Sequence, residues 1–194
     1  MASAGKLNIA MLSAHSCPVG QPGTKDTGGM SVYIRELAQE MGKQGHKVDI
    51  FTRVHDPRDP QIIELGAGVR LIHLKAGNDN DLDKLGLYSH LPEFAGNLEK
   101  LRRRDCLNYN LVFSHYWLSG LTGETLAGWW QVPHMVMFHT LGAVKNSIGI
   151  GDSEPELRID TERELVRNCQ SIIAATEREK LDLVHHYGAK TENI

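Results

Sequence analysis

Apolar runs of strand length alternate along the chain with apolar positions at helical spacing, the pattern of a doubly wound, mostly parallel α/β sheet. Residues 7–13 are almost continuously apolar, as a strand covered on both faces requires. A loop rich in turn formers follows (16–29), holding Pro18, Gly20, Pro22, Gly23, Gly28 and Gly29. Met30, Ile34, Leu37, Ala38 and Met41 then recur with helical period, and Gly45 supplies a stop signal. Further strands are predicted at 48–52, at 69–74 (nearer an edge), at 111–114, 132–138 and 171–175. Helices are predicted at 92–104, opened by Pro92, and at 121–130, 157–166 and 177–187. The segments 77–91 and 142–151 read as weakly ordered loops with few apolar anchors. The sequence ends at Ile194, where a further strand is expected, so a second domain is expected to lie outside residues 1–194.

Composition narrows the class. At 194 residues, 41% hydrophobic and 23% charged, the chain suits one domain that buries roughly 70% of its unfolded surface. A formal charge of −3 gives no case for a nucleic-acid partner, which calls for a clustered basic face. No run approaches the 18 or so apolar residues of a membrane span, and the first residues do not form a signal peptide. Cys17, Cys106 and Cys169 are odd in number and contain no C-x-x-C pair, which fits a reducing cytoplasm better than a disulfide framework or a zinc site. A homo-oligomer is left open.

The chemistry gathers where apolar strands end. His15-Ser16-Cys17-Pro18 and Asp26-Thr27-Gly28-Gly29-Met30-Ser31-Val32-Tyr33 bracket the first loop. Paired glycines at a helix start let a ligand approach backbone N–H groups that favour anions; on spacing alone a plain glycine-rich turn is an equal reading. A dinucleotide fingerprint and a P-loop are both missing, and no G-x-S-x-G points to a hydrolase. His115-Tyr116-Trp117-Leu118-Ser119-Gly120 and Phe138-His139-Thr140-Leu141 each begin at a strand's carboxyl end, where ligands of open α/β sheets sit. The acids at 79, 81 and 83 resemble a metal-binding pair but read as a solvated loop. The Glu154 and Glu162 spacing is read as chance.

Together these segments, with Gln21-Pro22-Gly23, Val48-Asp49-Ile50-Phe51-Thr52-Arg53, Lys145-Asn146 and His185-His186-Tyr187, resemble the N-terminal, Rossmann-like domain of a retaining family 4 glycosyltransferase of GT-B architecture. The similarity is to the group that holds the inositol-phosphate glycosyltransferases and the sucrose-phosphate synthases. It implies an acceptor-binding half, inactive alone, whose partner is a C-terminal domain of the same polypeptide that binds the nucleotide-diphosphate sugar. That sugar is the co-substrate; no tightly bound cofactor or metal site is implied, and Mg²⁺ is allowed but not required. The implied activity is transfer of a sugar to a phosphorylated polyol or sugar. The alternatives are a lipid or polysaccharide acceptor, or a binding module without catalysis.

The resemblance also implies roles. Gly28 and Gly29 approach the donor diphosphate, and His139 is the catalytic-centre residue contacting the transferred sugar. Lys84, Tyr116, Thr140 and Arg158 grip the acceptor phosphate, with Lys145 a further candidate. Two cations and two hydroxyls suit a dianion. Ser31 stands where the inositol-phosphate group has Asn, shortening or losing one bond to the acceptor. For Lys84 the competing reading is a variable loop, and for Arg158 a solvated helix residue. Retention is implied by front-side attack, a donor phosphate oxygen taking the acceptor's proton, so no protein nucleophile is required.

Overall fold

The computed structural model describes residues 5–20, 28–77, 82–149 and 153–194. Its elements are β1 (Asn8–Leu12), α1 (Gly29–Lys43), β2 (Lys47–Arg53), β3 (Ile62–Gly66), β4 (Val69–Leu74), α2 (Lys84–Tyr88) and α3 (Leu91–Arg104). They continue with β5 (Leu111–His115), α4 (Trp117–Trp130), β6 (His134–Met137), α5 (Gly142–Ile148), α6 (Glu156–Asn168), β7 (Ser171–Ile172) and α7 (Glu177–Tyr187). The strands form one sheet in the order β3-β4-β2-β1-β5-β6-β7. All pairs are parallel except β3 with β4. The doubly wound, mostly parallel α/β fold expected from the sequence is therefore present.

Alternation along the central strands feeds two cores. In β1, Ile9 and Met11 pack with Ile34 and Ala38 of α1 on one face. Ala10 and Leu12 turn to the other face, against residues of α3, α4, α6 and α7. Both faces being covered explains why β1 reads as a nearly continuous apolar run. Pro92 lies in the first turn of α3, where its missing N–H costs nothing. At α7 the Thr176 hydroxyl accepts from the Glu179 amide while Glu179 accepts from the Ala175 amide, closing the helix start.

Five local expectations are corrected. β3 was not anticipated: Ile62–Gly66 is a short outer strand that alternates exposed and half-buried positions, although Ile62, Ile63 and Leu65 make it largely apolar. It covers β4, which is thus one place in from the edge. The supposed loop from 142 is helix α5 through Ile148, and α2 occupies 84–88 of the other. Polar bonds anchor α5 where apolar ones were sought: Asn146 Nδ2 donates to the Glu154 carbonyl, and the Glu154 amide donates to Asn146 Oδ1. Helix α4 begins four residues early, at Trp117, and β7 is only two residues long. No helix of the described residues is long and apolar enough to cross a membrane.

Close packing of α4 on the sheet depends on Gly123. A methyl group there would fall 2.0 Å from Ser114 Oγ and 2.5 Å from His134 Nε2, atoms that are themselves 2.9 Å apart in a buried hydrogen bond. Gly123→Ala is expected to lower stability by about 1–3 kcal/mol, read as a lower urea midpoint at unchanged m. Gly128→Ala, on the same helix with open space around the added methyl, should be neutral or stabilising.

Candidate functional site

The polar segments at the carboxyl ends of β1, β5 and β6 meet α1, α2, α5 and α6 around one side of the sheet. The turn after β1 is fixed internally: Ser13 Oγ donates to the Ser16 carbonyl at 2.6 Å, and the Ala14 amide donates to Ser119 Oγ at 3.0 Å. Ser31 is buried, its hydroxyl 2.5 Å from that of Ser16, so it ties α1 to this turn. Gly28 precedes α1 in an extended conformation without a side-chain cap. A Cβ added at Gly28 or Gly29 would meet nothing within 4 Å. Among the described residues, neither packing nor backbone dihedral demands glycine here, and the helix start has no side-chain cap.

Beside α1, His115 Nδ1 and His139 Nε2 are 2.9 Å apart and share one proton between them. Tyr33 sets its ring edge-on to both, with centroids at 6.1 and 5.4 Å. Burial pushes His139 down to about 4 and His115 well below the ordinary imidazole value. His139 is therefore a neutral imidazole near pH 7, able to hydrogen-bond but not to act as a cation. It sits at φ 62°, in the left-handed region.

Tyr116 carries larger strain, with φ 76° and ψ 158°, a combination otherwise left to glycine. It persists because both flanks are pinned: the Tyr116 amide donates to the Met137 carbonyl at 2.8 Å, and the Gly120 amide to the Tyr116 carbonyl at 2.9 Å. The ring so directed packs against His15 at 4.5 Å. Two cations approach it, Lys84 Nζ at 5.5 Å and Arg158 Cζ at 4.8 Å from the centroid. These groups, with Asp83, Leu85, Trp117, Glu154 and Pro155, line a cavity of about 390 Å³.

Arg158 is 1% exposed, so it is no solvated helix residue. Its Nε donates to Glu162 Oε1 at 2.7 Å and its Nη1 meets Glu154 Oε2 at 2.8 Å. Its Nη2 donates to the Thr140 carbonyl at 2.7 Å and to Thr140 Oγ1 at 3.0 Å. Lys145 pairs with the other oxygen of Glu154. Glu154 and Glu162 thus stand four residues either side of Arg158 on the α6 side of the site. What joins the two acids is Arg158: Glu162 lies one turn further along α6, and Glu154 reaches it from just before the helix. The sequence-predicted residues Lys84, Tyr116, Thr140, Lys145 and Arg158 are joined in one cluster, Thr140 and Lys145 through Arg158 and Glu154. Ser31 and His139 lie toward the α1 side, with Gly28 and Gly29 at the helix start.

Among the described residues, no group of three or more His, Cys, Asp or Glu is arranged to hold a metal. The acids at 79 and 81 lie outside those residues. Cys17, Cys106 and Cys169 are free thiols.

Residues 28–194 match the glycosyl transferase 4-like domain. The chain belongs to that family. It is 40% identical over 190 residues to a D-inositol 3-phosphate glycosyltransferase of Corynebacterium glutamicum (strain R), covering 97% of this chain and 46% of the relative. A protein of the same name from Nocardiopsis dassonvillei is 42% identical over 189 residues, or 96% of this chain and 44% of the relative. Among solved structures, sucrose-phosphate synthase from Thermosynechococcus elongatus superposes with a TM-score of 0.85 at 29% identity, over 92% of this chain and 44% of that one. The fold is that of GT-B N-terminal domains, and the chain spans less than half the length of these relatives.

Two outcomes follow from the burial of these groups. Unfolded imidazoles titrate near 6.5, whereas His15 is lowered to about 3 and His134 and His139 to about 4. Below pH 6.5 the unfolded chain takes up protons that the native state refuses, so stability falls with pH. Each group adds a slope of up to about 1.4 kcal/mol per pH unit until its folded value is reached. Glu162 and Glu179, raised by burial, partly offset this. Urea midpoints should therefore drop between pH 6.5 and 5. Arg158→Ala, which strands Glu162 as a buried charge, should cost about 3–5 kcal/mol in the same assay at pH 7.

Proposed function

We propose that this chain is the acceptor-binding half of a retaining glycosyltransferase that moves a sugar from a nucleotide-diphosphate sugar to a phosphorylated polyol or sugar. The observation that carries the reading is the convergence of Lys84, Tyr116, Thr140, Lys145 and Arg158 around or directly behind one cavity at the carboxyl edge of the sheet. Ammonium and guanidinium groups with nearby hydroxyls supply charge-assisted bonds to a phosphate dianion. Arg158 directs Nε at Glu162, Nη2 at Thr140 and Nη1 at Glu154, and it lines the cavity beside Lys84 and Tyr116. The names of the relatives, which act on inositol 3-phosphate, support the same acceptor class.

The α1 side serves the donor in this reading. The amides at Gly28 and Gly29 stabilise the departing diphosphate, and His139 offers a neutral imidazole to the transferred sugar near the reacting carbon. A second domain of the same polypeptide holds the rest of the nucleotide sugar, and closure of the two excludes water that would hydrolyse it. The acceptor hydroxyl attacks on the leaving-group face and passes its proton to a donor phosphate oxygen. Mg²⁺ is allowed but not required in this reading. Three free cysteines suit a reducing cytoplasm.

In the full polypeptide, Lys84→Ala should raise the KM for a phosphorylated acceptor about tenfold or more, as loss of a charged hydrogen bond worth about 1.5–3 kcal/mol requires. Arg158→Lys, which keeps the charge but not the fork, should act in the same direction. An acceptor KM unchanged in both variants removes the phosphate grip and favours an unphosphorylated lipid or polysaccharide acceptor.

A further inference from the structure

Arg158 is only as well placed as the groups that hold it. Glu154 is a partly exposed partner at the cavity wall that it shares with Lys145. Glu162 is wholly buried and held from several sides. Its Oε1 takes Arg158 Nε, while its Oε2 accepts the Tyr187 hydroxyl at 2.5 Å and the Gly142 amide at 2.9 Å. The Tyr187 oxygen in turn accepts the Ala143 amide at 2.8 Å. One hydroxyl at the end of α7 thus orients the carboxylate that aligns Arg158, and fastens the first turn of α5, the helix carrying Lys145. Tyr187 does not line the cavity.

We infer that Tyr187 is a positioning residue that acts through Glu162 to set the affinity of the site for an anionic acceptor. The inference rests on the reading of the cavity as the acceptor-phosphate site. Its physical basis is twofold. A carboxylate fixed at both oxygens fixes the plane of the guanidinium bonded to it. The phenol also donates its proton to a carboxylate that burial alone would push toward the neutral acid. Without that proton, Glu162 protonates at higher pH and releases Nε, and Arg158 is drawn toward Glu154. The charged and titratable groups facing Glu162 are Arg158 on its own helix, Tyr187 on α7 and Tyr116 beside α4, with the Gly142 amide from α5.

The test is calorimetric titration of the full polypeptide with D-inositol 3-phosphate, and with whichever of UDP, ADP and GDP the wild type binds as the control ligand, across pH 5.5–8. Tyr187→Phe is expected to weaken inositol 3-phosphate three- to tenfold while leaving the nucleoside diphosphate within twofold, and to shift the acid limb of the affinity profile to higher pH. Glu162→Gln should weaken it at least as much, and the double variant should be no worse than Glu162→Gln alone, because the tyrosine works through the carboxylate. Thermal unfolding of each variant confirms that titrations are made well below its midpoint. The inference is overturned if Tyr187→Phe leaves inositol 3-phosphate binding within twofold, if both ligands weaken alike, or if the two substitutions add. Weakening by Lys84→Ala but not by Tyr187→Phe sinks this inference and spares the acceptor reading. No binding by the wild type of inositol 3-phosphate, or of a hexose phosphate titrated in its place, removes both.

Discussion

A guanidinium with almost no exposure to water sits between two carboxylates, and much of the site's arrangement follows from how it is satisfied. Desolvating an arginine is tolerable only where nearly every N–H finds an acceptor and the charge is balanced. Glu154, Glu162 and Thr140 meet that demand from three directions. The demand also draws together segments far apart in sequence. The loop after β6, the first turn of α5, the length of α6 and the end of α7 are all tied to one ionic centre. The usual alternative, an apolar plug of similar volume, would be no less stable but would leave the cavity wall without charge. Keeping an ionic group here makes sense if something negatively charged is meant to arrive.

How much of this could be read from the residues divides along the kind of force involved. The sheet was legible because its strands are buried on both faces, and β1 advertises that by an unbroken apolar run. The mismatches fall where apolar burial is not the organiser. β3 is an outer strand with half its side chains in water, and short α5, with only Ala143 and Val144 on the core, is tied down by hydrogen bonds from Asn146, Glu162 and Tyr187. Periodicity analysis cannot see a helix whose anchors are hydrogen bonds to distant partners. Among site residues, Lys84, Tyr116, Thr140 and Arg158 entered through family likeness, and their meeting in space is a fact of the fold. Glu162 was visible as an acid one helical turn beyond Arg158, whereas Glu154 sits before Pro155 and meets Arg158 only in the folded chain.

The two ends of the site differ in electrical character. Near α1 the ring nitrogens of His115 and His139 are uncharged at neutral pH and speak through hydrogen bonds. Around Tyr116 the partners are full charges, arginine and lysine against glutamate. A transfer reaction between a charged leaving group and a charged acceptor would place its reacting carbon between these regions. In the proposed reaction, neutral imidazoles would add no competing ion beside the developing positive charge on a sugar.

The backbone at Tyr116 has a consequence for how a guest is received. A tyrosine in open structure samples several rotamers and must give up that freedom when it becomes part of a wall. Here the direction of the side chain is dictated by a main-chain geometry that the flanking hydrogen bonds enforce, and the ring is already clasped by His15 and two cations. The loss of freedom is incurred once, during folding, rather than at each encounter. This face of the hollow is a mould already set before any guest arrives.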